Sequence, residues 1–335
     1  LTYCENLRLL NISGLNITSG VSEIAGLTYL ESFIANNVGI SSEAVGGTPI
    51  LSNMTNLKLV DLSSNNLTSL DMFFSSDDIY SKLKELYLDN NELSDISLIS
   101  QTPMLTLLTL SNNNIDSDDI AVLADKVYLT YLSLNNNNIT SISSLNKLTA
   151  LTELRLHCNN ISDITAIKNM TAMTKLYLGD NNIYNIESLE HLTLLEVLYL
   201  NDNAGINDVS ALVDMAEMQI LNISNCSINQ IISLQNMSAL KELYVENNEI
   251  TGFATLSKFT NMEKLLLAGN ERSGQTLEWN KYLGGMANLK VLTLSGLDVS
   301  DLSFLETAIT DSSTQATTTT IKPIQRLEIA NCGIT

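Results

Sequence analysis

The stretch Leu151-Thr-Glu-Leu154-Arg-Leu156-His-Cys-Asn159-Asn-Ile161 decides the fold, because it returns after 22 residues as Met173-Thr-Lys-Leu176-Tyr-Leu178-Gly-Asp-Asn181-Asn-Ile183. Both copies follow the pattern L-x-x-L-x-L-x-x-N-x-I. Its first apolar position recurs at Leu7, Leu30, Leu57, Leu83, Leu105, Leu129, Leu151, Met173, Leu195, Met218, Leu240, Met262, Leu289 and Ile324. The sequence therefore predicts a repeat protein with about 14 repeats and a base period of 22 residues.

The two halves of a repeat have different apolar spacings. Leu154 and Leu156 alternate with polar residues, which is typical of a short strand with one buried face. Ile161, Ile164 and Ile167 follow in steps of three, which suits a 3₁₀-helical or extended return in so short a unit. Because one repeat cannot bury its apolar side alone, neighbouring repeats must stack. We expect an α/β fold with a parallel sheet on the inner, concave face and mainly 3₁₀ or extended returns on the convex face.

One polar position of the repeat falls inside the apolar core. A buried amide is tolerated only when it is hydrogen-bonded, so we predict a ladder in which each side chain bonds backbone groups of adjacent repeats. A cysteine thiol is a compact, weakly polar substitute at the same position. The predicted ladder consists of Asn65, Asn91, Asn113, Asn137, Asn159, Asn181, Asn203, Cys226, Asn248, Asn270 and Cys332.

Three short motifs recur through the repeats: Asn-Asn-x-Ile, Ser-Asp-Ile as in residues 162–164, and Leu-Thr-x-Leu as in residues 148–151. Together they resemble the leucine-rich repeat of bacterial internalin-type surface proteins, over essentially the whole chain. The resemblance implies a right-handed, curved leucine-rich-repeat solenoid on a secreted or wall-attached protein that binds another macromolecule. The chain departs from the pattern where Leu15, Val38 and Leu297 replace the asparagine, and neither the family's cap domain nor its sorting signal is recognisable.

No linker or change of composition divides the sequence, so we expect one leucine-rich-repeat domain over residues 1–335. Both ends fall within a repeat, and we expect the native polypeptide to continue beyond them or the ends to fray. Extra residues in a solenoid usually form loops, which either decorate the surface or bind, and both alternatives stay open here. The enlarged segments are 41–54, 68–82, 271–288 and 306–323. We expect the threonine-rich last segment to be a mobile loop, whereas the spacing in 118–128 predicts one or two turns of true helix.

Charge and composition exclude several classes of function. The chain has 17 Lys and Arg against 37 Asp and Glu, a formal net charge of −20, which argues against binding nucleic acid or an anionic membrane surface. No apolar run approaches the roughly 20 residues that span a bilayer, so we expect no membrane insertion. Two distant histidines, scattered cysteines and the lack of a catalytic motif predict no cofactor, no metal site and no enzymatic activity. Repeat spacing separates Cys158, Cys226 and Cys332 too widely for a disulfide.

Residues that flank the buried leucine of each strand should point to the concave face. Tyrosines recur there, and tyrosine is enriched in binding hot spots, although it also suits any sheet surface. Acidic residues dominate this face, which favours a protein ligand with a basic patch. The candidate ligand-binding residues are Glu85, Tyr87, Asp89, Tyr131, Glu153, Arg155, His157, Lys175, Tyr177, Tyr199, Glu242, Tyr244 and Glu246.

These observations favour a non-catalytic protein–protein recognition module of a secreted or cell-surface bacterial protein. One alternative is a cytoplasmic leucine-rich-repeat scaffold or phosphatase-type regulator, with which free thiols are compatible. Another is an enzyme whose catalytic domain lies outside this sequence. A signal peptide encoded upstream would support the first interpretation, and an immediate initiator methionine the second.

Overall fold

The fold comes from a computed structural model, which describes residues 4, 6–15, 21–40, 49–270, 277–299, 301–310 and 317–332. Contacts between residues group the chain into two compact units. The first unit consists of Leu1–Ile161 and Thr165–Ala172, and the second of Ser162–Ile164 and Met173–Thr335.

The first unit contains seven three-residue strands, each formed by the x-L-x segment of one repeat. They are β1 (Leu9–Asn11), β2 (Ser32–Ile34), β3 (Leu59–Asp61), β4 (Glu85–Tyr87), β5 (Leu107–Thr109), β6 (Tyr131–Ser133) and β7 (Glu153–Arg155). Consecutive strands pair in parallel, with equivalent residues in register. The returns include 3₁₀ helices at Val21–Gly26, Ser97–Gln101, Asp119–Asp125, Ser143–Lys147 and Thr165–Ile167.

The second unit repeats this plan. Its parallel strands are β8 (Lys175–Tyr177), β9 (Val197–Tyr199), β10 (Ile220–Asn222), β11 (Glu242–Tyr244), β12 (Lys264–Leu266), β13 (Val291–Thr293) and β16 (Arg326–Glu328). An antiparallel hairpin of β14 (Glu306–Thr310) and β15 (Thr317–Ile321) lies between β13 and β16 in the chain. The returns include α1 (Trp279–Leu283) and 3₁₀ helices at Glu187–Leu189, Ser210–Leu212, Ile232–Asn236, Ala254–Lys258 and Ser303–Leu305.

The predicted leucine-rich-repeat architecture is confirmed, with one parallel strand for each of the fourteen predicted repeats and mainly 3₁₀ returns among the described residues. The segment 118–128 contains a 3₁₀ helix rather than an α-helix, because a short return leaves little room for wider turns. Our expectation of a loop at 306–323 was wrong, since β-branched threonines there pair as a hairpin. Residues 41–48, 271–276 and 311–316 of the enlarged segments lie outside the described residues.

The core of each unit is a stack of equivalent aliphatic side chains. Leu132 and Leu154, which are partners on β6 and β7, are both fully buried, and so are Leu151 and Ile161 of the same repeat. Burying one such side chain stabilises the fold by roughly 1.5–3 kcal/mol. Because every repeat contributes the same positions, stability accumulates from contacts between neighbouring repeats.

The asparagine position lies inside this core. The Asn159 amide nitrogen donates to the carbonyl oxygens of Leu134 and Leu156, both at 3.0 Å, and its oxygen accepts the Ile139 amide at 3.1 Å. One side chain thus bonds its own repeat and its neighbour. Asn65, Asn91, Asn113, Asn137, Asn203, Asn248 and Asn270 are buried with equivalent bonds. Asn181 is also buried and donates to its own repeat at Leu178.

The thiols of Cys226 and Cys332 lie at the same position and point to the carbonyl oxygens of Leu200 and Leu294, at 3.5 and 3.1 Å. Both are therefore placed as weak donors in the ladder. The structure describes all four cysteines of the chain, and none of them forms a disulfide.

A second recurring position escaped the sequence analysis. The residue just before the ladder position has a left-handed backbone conformation, with φ of 51° at Asn136, 55° at Asp180 and 53° at Asn247. Asparagine, aspartate and glycine tolerate this conformation best, which explains why the motif reads Asn-Asn so often. Cys158 departs from this preference, because it carries an ordinary side chain at φ 57°.

Candidate ligand-binding surface

The strand face consists of the two outer residues of each parallel strand and the residue two positions beyond it. All thirteen candidate ligand-binding residues lie on this face, and each is half-buried. The seven residues from Glu85 to His157 belong to the first unit, and the six from Lys175 to Glu246 belong to the second. The prediction that they bind a ligand stays a prediction.

In the second unit the strand face carries a tyrosine cluster, defined as Tyr177, Tyr199 and Tyr244. The rings of Tyr177 and Tyr199 stack, with centroids 5.3 Å apart and planes at 24°. Tyr199 also contacts Tyr244, at 6.5 Å and 40°, although Asn222 lies between them in the sheet. These contacts hold three broad amphipathic side chains in one continuous surface.

Polar contacts fix the end of this cluster. The Tyr244 hydroxyl donates to the Glu242 carboxylate and accepts a hydrogen bond from Lys264 Nζ at 2.9 Å. The same ammonium lies 4.6 Å from the Tyr244 ring centroid, within reach of a cation–π interaction. Burial, together with the Glu242 carboxylate, raises the pKa of Tyr244, and burial also raises the pKa of Tyr199. Both phenols are therefore neutral near pH 7.

The neighbouring strands surround the tyrosine cluster with apolar side chains that the sequence analysis did not select. Half-buried Val197, Ile220, Leu266 and Val291 occupy outer strand positions on β9, β10, β12 and β13. Alternation within the strand motif was the signal that could have found them, because Val197, Ile220 and Val291 occupy the first and Leu266 the third strand position, which both point to the strand face. The candidate Glu246 accepts a hydrogen bond from the Thr293 hydroxyl at 3.3 Å.

In the first unit, Tyr131 forms a compact group with two charged residues. The Arg155 guanidinium lies 5.6 Å from the Tyr131 ring centroid and forms an ion pair with Glu153 at 2.6 Å. Register places Tyr131 directly beside Glu153 on the adjacent strand. This arrangement limits the rotamers of the ring before any ligand binds.

Strand β4 places two carboxylates and one tyrosine on the same face. The Tyr87 hydroxyl donates to Glu85 at 3.0 Å, and Asp89 accepts the Ser111 backbone amide at 2.6 Å. Burial and the adjacent Glu85 carboxylate raise the pKa of Tyr87 to about 12. The backbone amide of the candidate His157 donates to the Asn135 side chain at 3.2 Å.

Small polar residues lie between these larger groups on β5 and β6 and in the residues just beyond them. Thr109, Ser111, Ser133 and Asn135 each occupy a strand-face position but are no more than 8% exposed. The hydroxyls of Ser111 and Ser133 bond each other at 2.7 Å. The sequence analysis missed these residues because a search for tyrosines and charges passes over small side chains.

Metal ligands and membrane-spanning helices are two further features to consider in the described part of the chain. It contains no group of three or more His, Cys, Asp and Glu side chains that could hold a metal ion. No helix within it has both the length and the apolar character needed to cross a membrane.

Known proteins support the repeat assignment. The family described as Leucine Rich repeats (2 copies) matches residues 129–169. Protein PAC2 of Saccharomyces cerevisiae is 32% identical over 113 residues, which make up 33% of this chain and 21% of that protein. The match thus spans about a fifth of the yeast protein's length.

Two bacterial structures are similar over most of the chain. An internalin of Listeria monocytogenes has a TM-score of 0.77 at 28% identity, with 87% of this chain and 81% of that chain covered. A leucine-rich-repeat protein of Leptospira interrogans also has a TM-score of 0.77, at 24% identity, with coverages of 98% and 79%. At that identity the Leptospira protein is evidence for the fold alone. Repeat and fold make this chain a leucine-rich-repeat solenoid, and its structure is similar to that of a bacterial internalin.

Proposed function

We propose that the chain is a non-catalytic protein-recognition module of a secreted or cell-surface bacterial protein, which binds its ligand on the strand face. The observation that carries the proposal is the tyrosine cluster of the second unit. Three tyrosines, held by mutual ring contacts and by the hydrogen bonds of Tyr244, supply a rigid amphipathic surface. Such a surface loses little side-chain entropy when a protein ligand covers it.

The surroundings of the cluster support a protein ligand rather than a charged polymer. Val197, Ile220, Leu266 and Val291 add apolar area, while Lys264 and Glu242 supply one charge of each sign. Protein interfaces combine an aromatic and apolar centre with a polar rim in this way. Extended strand faces of solenoids are also the surfaces that repeat proteins use for binding.

The first unit supports a ligand that carries a basic patch. Of its strand-face residues, Asp61, Glu85, Asp89 and Glu153 are acidic, and Arg155 is the only lysine or arginine among those that the structure describes. Because Arg155 is paired with Glu153, the acidic charge of β3 and β4 is not balanced on the face. Complementary positive charge on the ligand would increase both the association rate and the specificity.

The test is an alanine variant at Tyr177, Tyr199 and Tyr244 together, assayed against a partner isolated with the wild-type chain. We expect the affinity to fall at least a hundredfold, because hot-spot tyrosines each contribute about 2 kcal/mol or more. A control variant replaces Tyr184, which is 65% exposed on a return of the same unit. Unchanged affinity in a folded triple variant would exclude the tyrosine cluster as the binding surface.

A cytoplasmic scaffold or phosphatase-type regulator is the second candidate. The lack of a disulfide among the four cysteines, all of which the structure describes, favours it, because secreted proteins commonly oxidise their cysteines. Cell fractionation separates the candidates. Recovery of the native protein from the culture medium or cell wall supports the first, and recovery from the cytosol alone supports the second.

A further inference from the structure

The first unit contains a buried hydroxyl group for which the fold provides no hydrogen-bond partner. Thr109 is 6% exposed, and its hydroxyl has no hydrogen-bond partner among the described residues. Register places it on the strand face, between Tyr87 on β4 and Ser133 on β6. A buried hydroxyl without a partner destabilises a protein, so a donor that reached this hydroxyl, once the side chains that cover it had moved aside, would relieve that loss.

The groups around Thr109 are acceptors and aromatic faces. We define the β4–β5 cluster as Glu85, Tyr87, Asp89, Thr109 and Tyr131. Register places Glu85 and Tyr131 on either side of Leu107 in the adjacent row of the strand face. One carboxylate oxygen of Glu85 accepts the Tyr87 hydroxyl, and one of Asp89 accepts the Ser111 amide. Among the described residues, the second oxygen of each carboxylate accepts no hydrogen bond.

A guanidinium group matches this set of groups. It presents five donors in a planar fork, which can bond a carboxylate and a neighbouring hydroxyl at once, and it stacks on tyrosine rings. Arg155 already lies against Tyr131 in this way from within the chain. An ammonium group has three donors and no flat face, and it satisfies fewer of these acceptors.

We infer that the β4–β5 cluster binds an arginine side chain of the protein partner. This inference rests on the proposed function, because it assigns the chemistry of one contact on the same strand face. The inference identifies an arginine as the residue of the partner's expected basic patch that contacts the strand face of the first unit.

The test uses N-acetyl-arginine methylamide as the probe and the threonine methyl resonances of the full chain as the readout. We expect the probe to shift the Thr109 methyl resonance with saturable, millimolar affinity that weakens as salt concentration rises. N-acetyl-citrulline methylamide has nearly the same shape without the charge, and it should bind at least tenfold more weakly. Equal binding of citrulline, equal binding of N-acetyl-lysine methylamide, or the absence of a shift at Thr109 would overturn the inference.

Two variants sharpen the result. Asp89→Asn keeps the acceptor for Ser111 and removes one screened charge, so the probe should bind about fivefold more weakly. Thr109→Val removes the unpartnered hydroxyl, so it should raise the melting temperature while weakening the probe severalfold, as followed at the remaining threonine methyl resonances. Ser224→Ala is the matched control, because Ser224 in the second unit also has a buried, unpartnered hydroxyl. It should leave probe binding unchanged, and a probe affinity unaffected by Thr109→Val would contradict the assignment.

The probe experiment and the tyrosine-cluster experiment fail independently. If the arginine probe does not bind but the triple tyrosine variant loses the partner, the arginine inference is wrong and the proposed function stands. If the arginine probe does not bind and the partner binds the triple tyrosine variant with unchanged affinity, the proposed function itself is wrong.

Discussion

Replacing Lys126 with methionine should stabilise the protein near neutral pH. Lys126 occupies the repeat position that Leu148 and Met170 fill in the next two repeats, and it is only 3% exposed. Its ammonium donates to the carbonyl oxygens of Ser100 and Thr102, at 3.3 and 3.0 Å. Burial lowers the pKa of Lys126 from 10.5 to about 8. The charged ammonium therefore destabilises the folded protein relative to the unfolded chain.

The magnitude follows from that pKa. A difference of about 2.5 units between unfolded and folded protein corresponds to roughly 3 kcal/mol of destabilisation, fully present below pH 8. The penalty falls as pH rises from 8 towards 10.5, because Lys126 loses its proton in the folded protein first. Above pH 10.5 the lysine is neutral in both the folded and the unfolded protein. Methionine removes the charge but leaves two carbonyl groups without their donor, which costs about 1 kcal/mol each. The variant should therefore be about 1 kcal/mol more stable at pH 7 and less stable than wild type above about pH 10.

Urea unfolding of Lys126→Met and wild type at pH 7 and pH 10 measures this difference, and background titrations cancel in the comparison. Lys147→Met is the control, because Lys147 is exposed and pairs with Asp125 on the surface, where an ion pair contributes little. A variant that is destabilised at pH 7, or a stability difference that does not change with pH, would refute the reasoning about the buried charge.

Three further predictions concern the asparagine ladder, the left-handed backbone position before it, and the single tryptophan of the chain. Asn159→Ala should destabilise the protein by about 1–3 kcal/mol in thermal or denaturant unfolding, since it removes three hydrogen bonds to the backbone, including the acceptor of the Ile139 amide, whereas the exposed neighbour variant Asn160→Ala should change little. Cys158→Asn should stabilise the first unit by about 0.5–1 kcal/mol, because asparagine tolerates φ 57° better; a loss of stability would contradict this. Trp279→Phe should cost about 1–3 kcal/mol in chemical denaturation, since the indole nitrogen donates to the Asp298 carbonyl at 2.8 Å; a negligible change would show that this bond contributes nothing.

The repeat was readable from the sequence because aliphatic periodicity directly encodes which side chains are buried. Leu154, Leu156 and Ile161 lie in the core as their spacing predicts, and the strand-face position of Tyr177 follows from alternation within one strand. The class of structure and the face of each residue were therefore predictable before any coordinates.

What escaped prediction depends on contacts between repeats. The tilted ring contact between Tyr199 and Tyr244 skips a strand, and no spacing rule predicts it. The missing partner of the Thr109 hydroxyl becomes visible only once its neighbours are placed. Lys126 could have been noticed as a charged residue at an apolar position, but its two carbonyl partners belong to the preceding repeat.

Site-specific photo-crosslinking tests the proposed binding surface most directly. A benzoylphenylalanine at Tyr199, in the middle of the tyrosine cluster, and one at the exposed His191, on the return of the preceding repeat, report on the strand face and the return side of the second unit. If the ligand binds the strand face, the isolated partner is captured through position 199 and not through position 191. Capture through position 191 with none through position 199 would contradict the assignment of the strand face as the recognition surface.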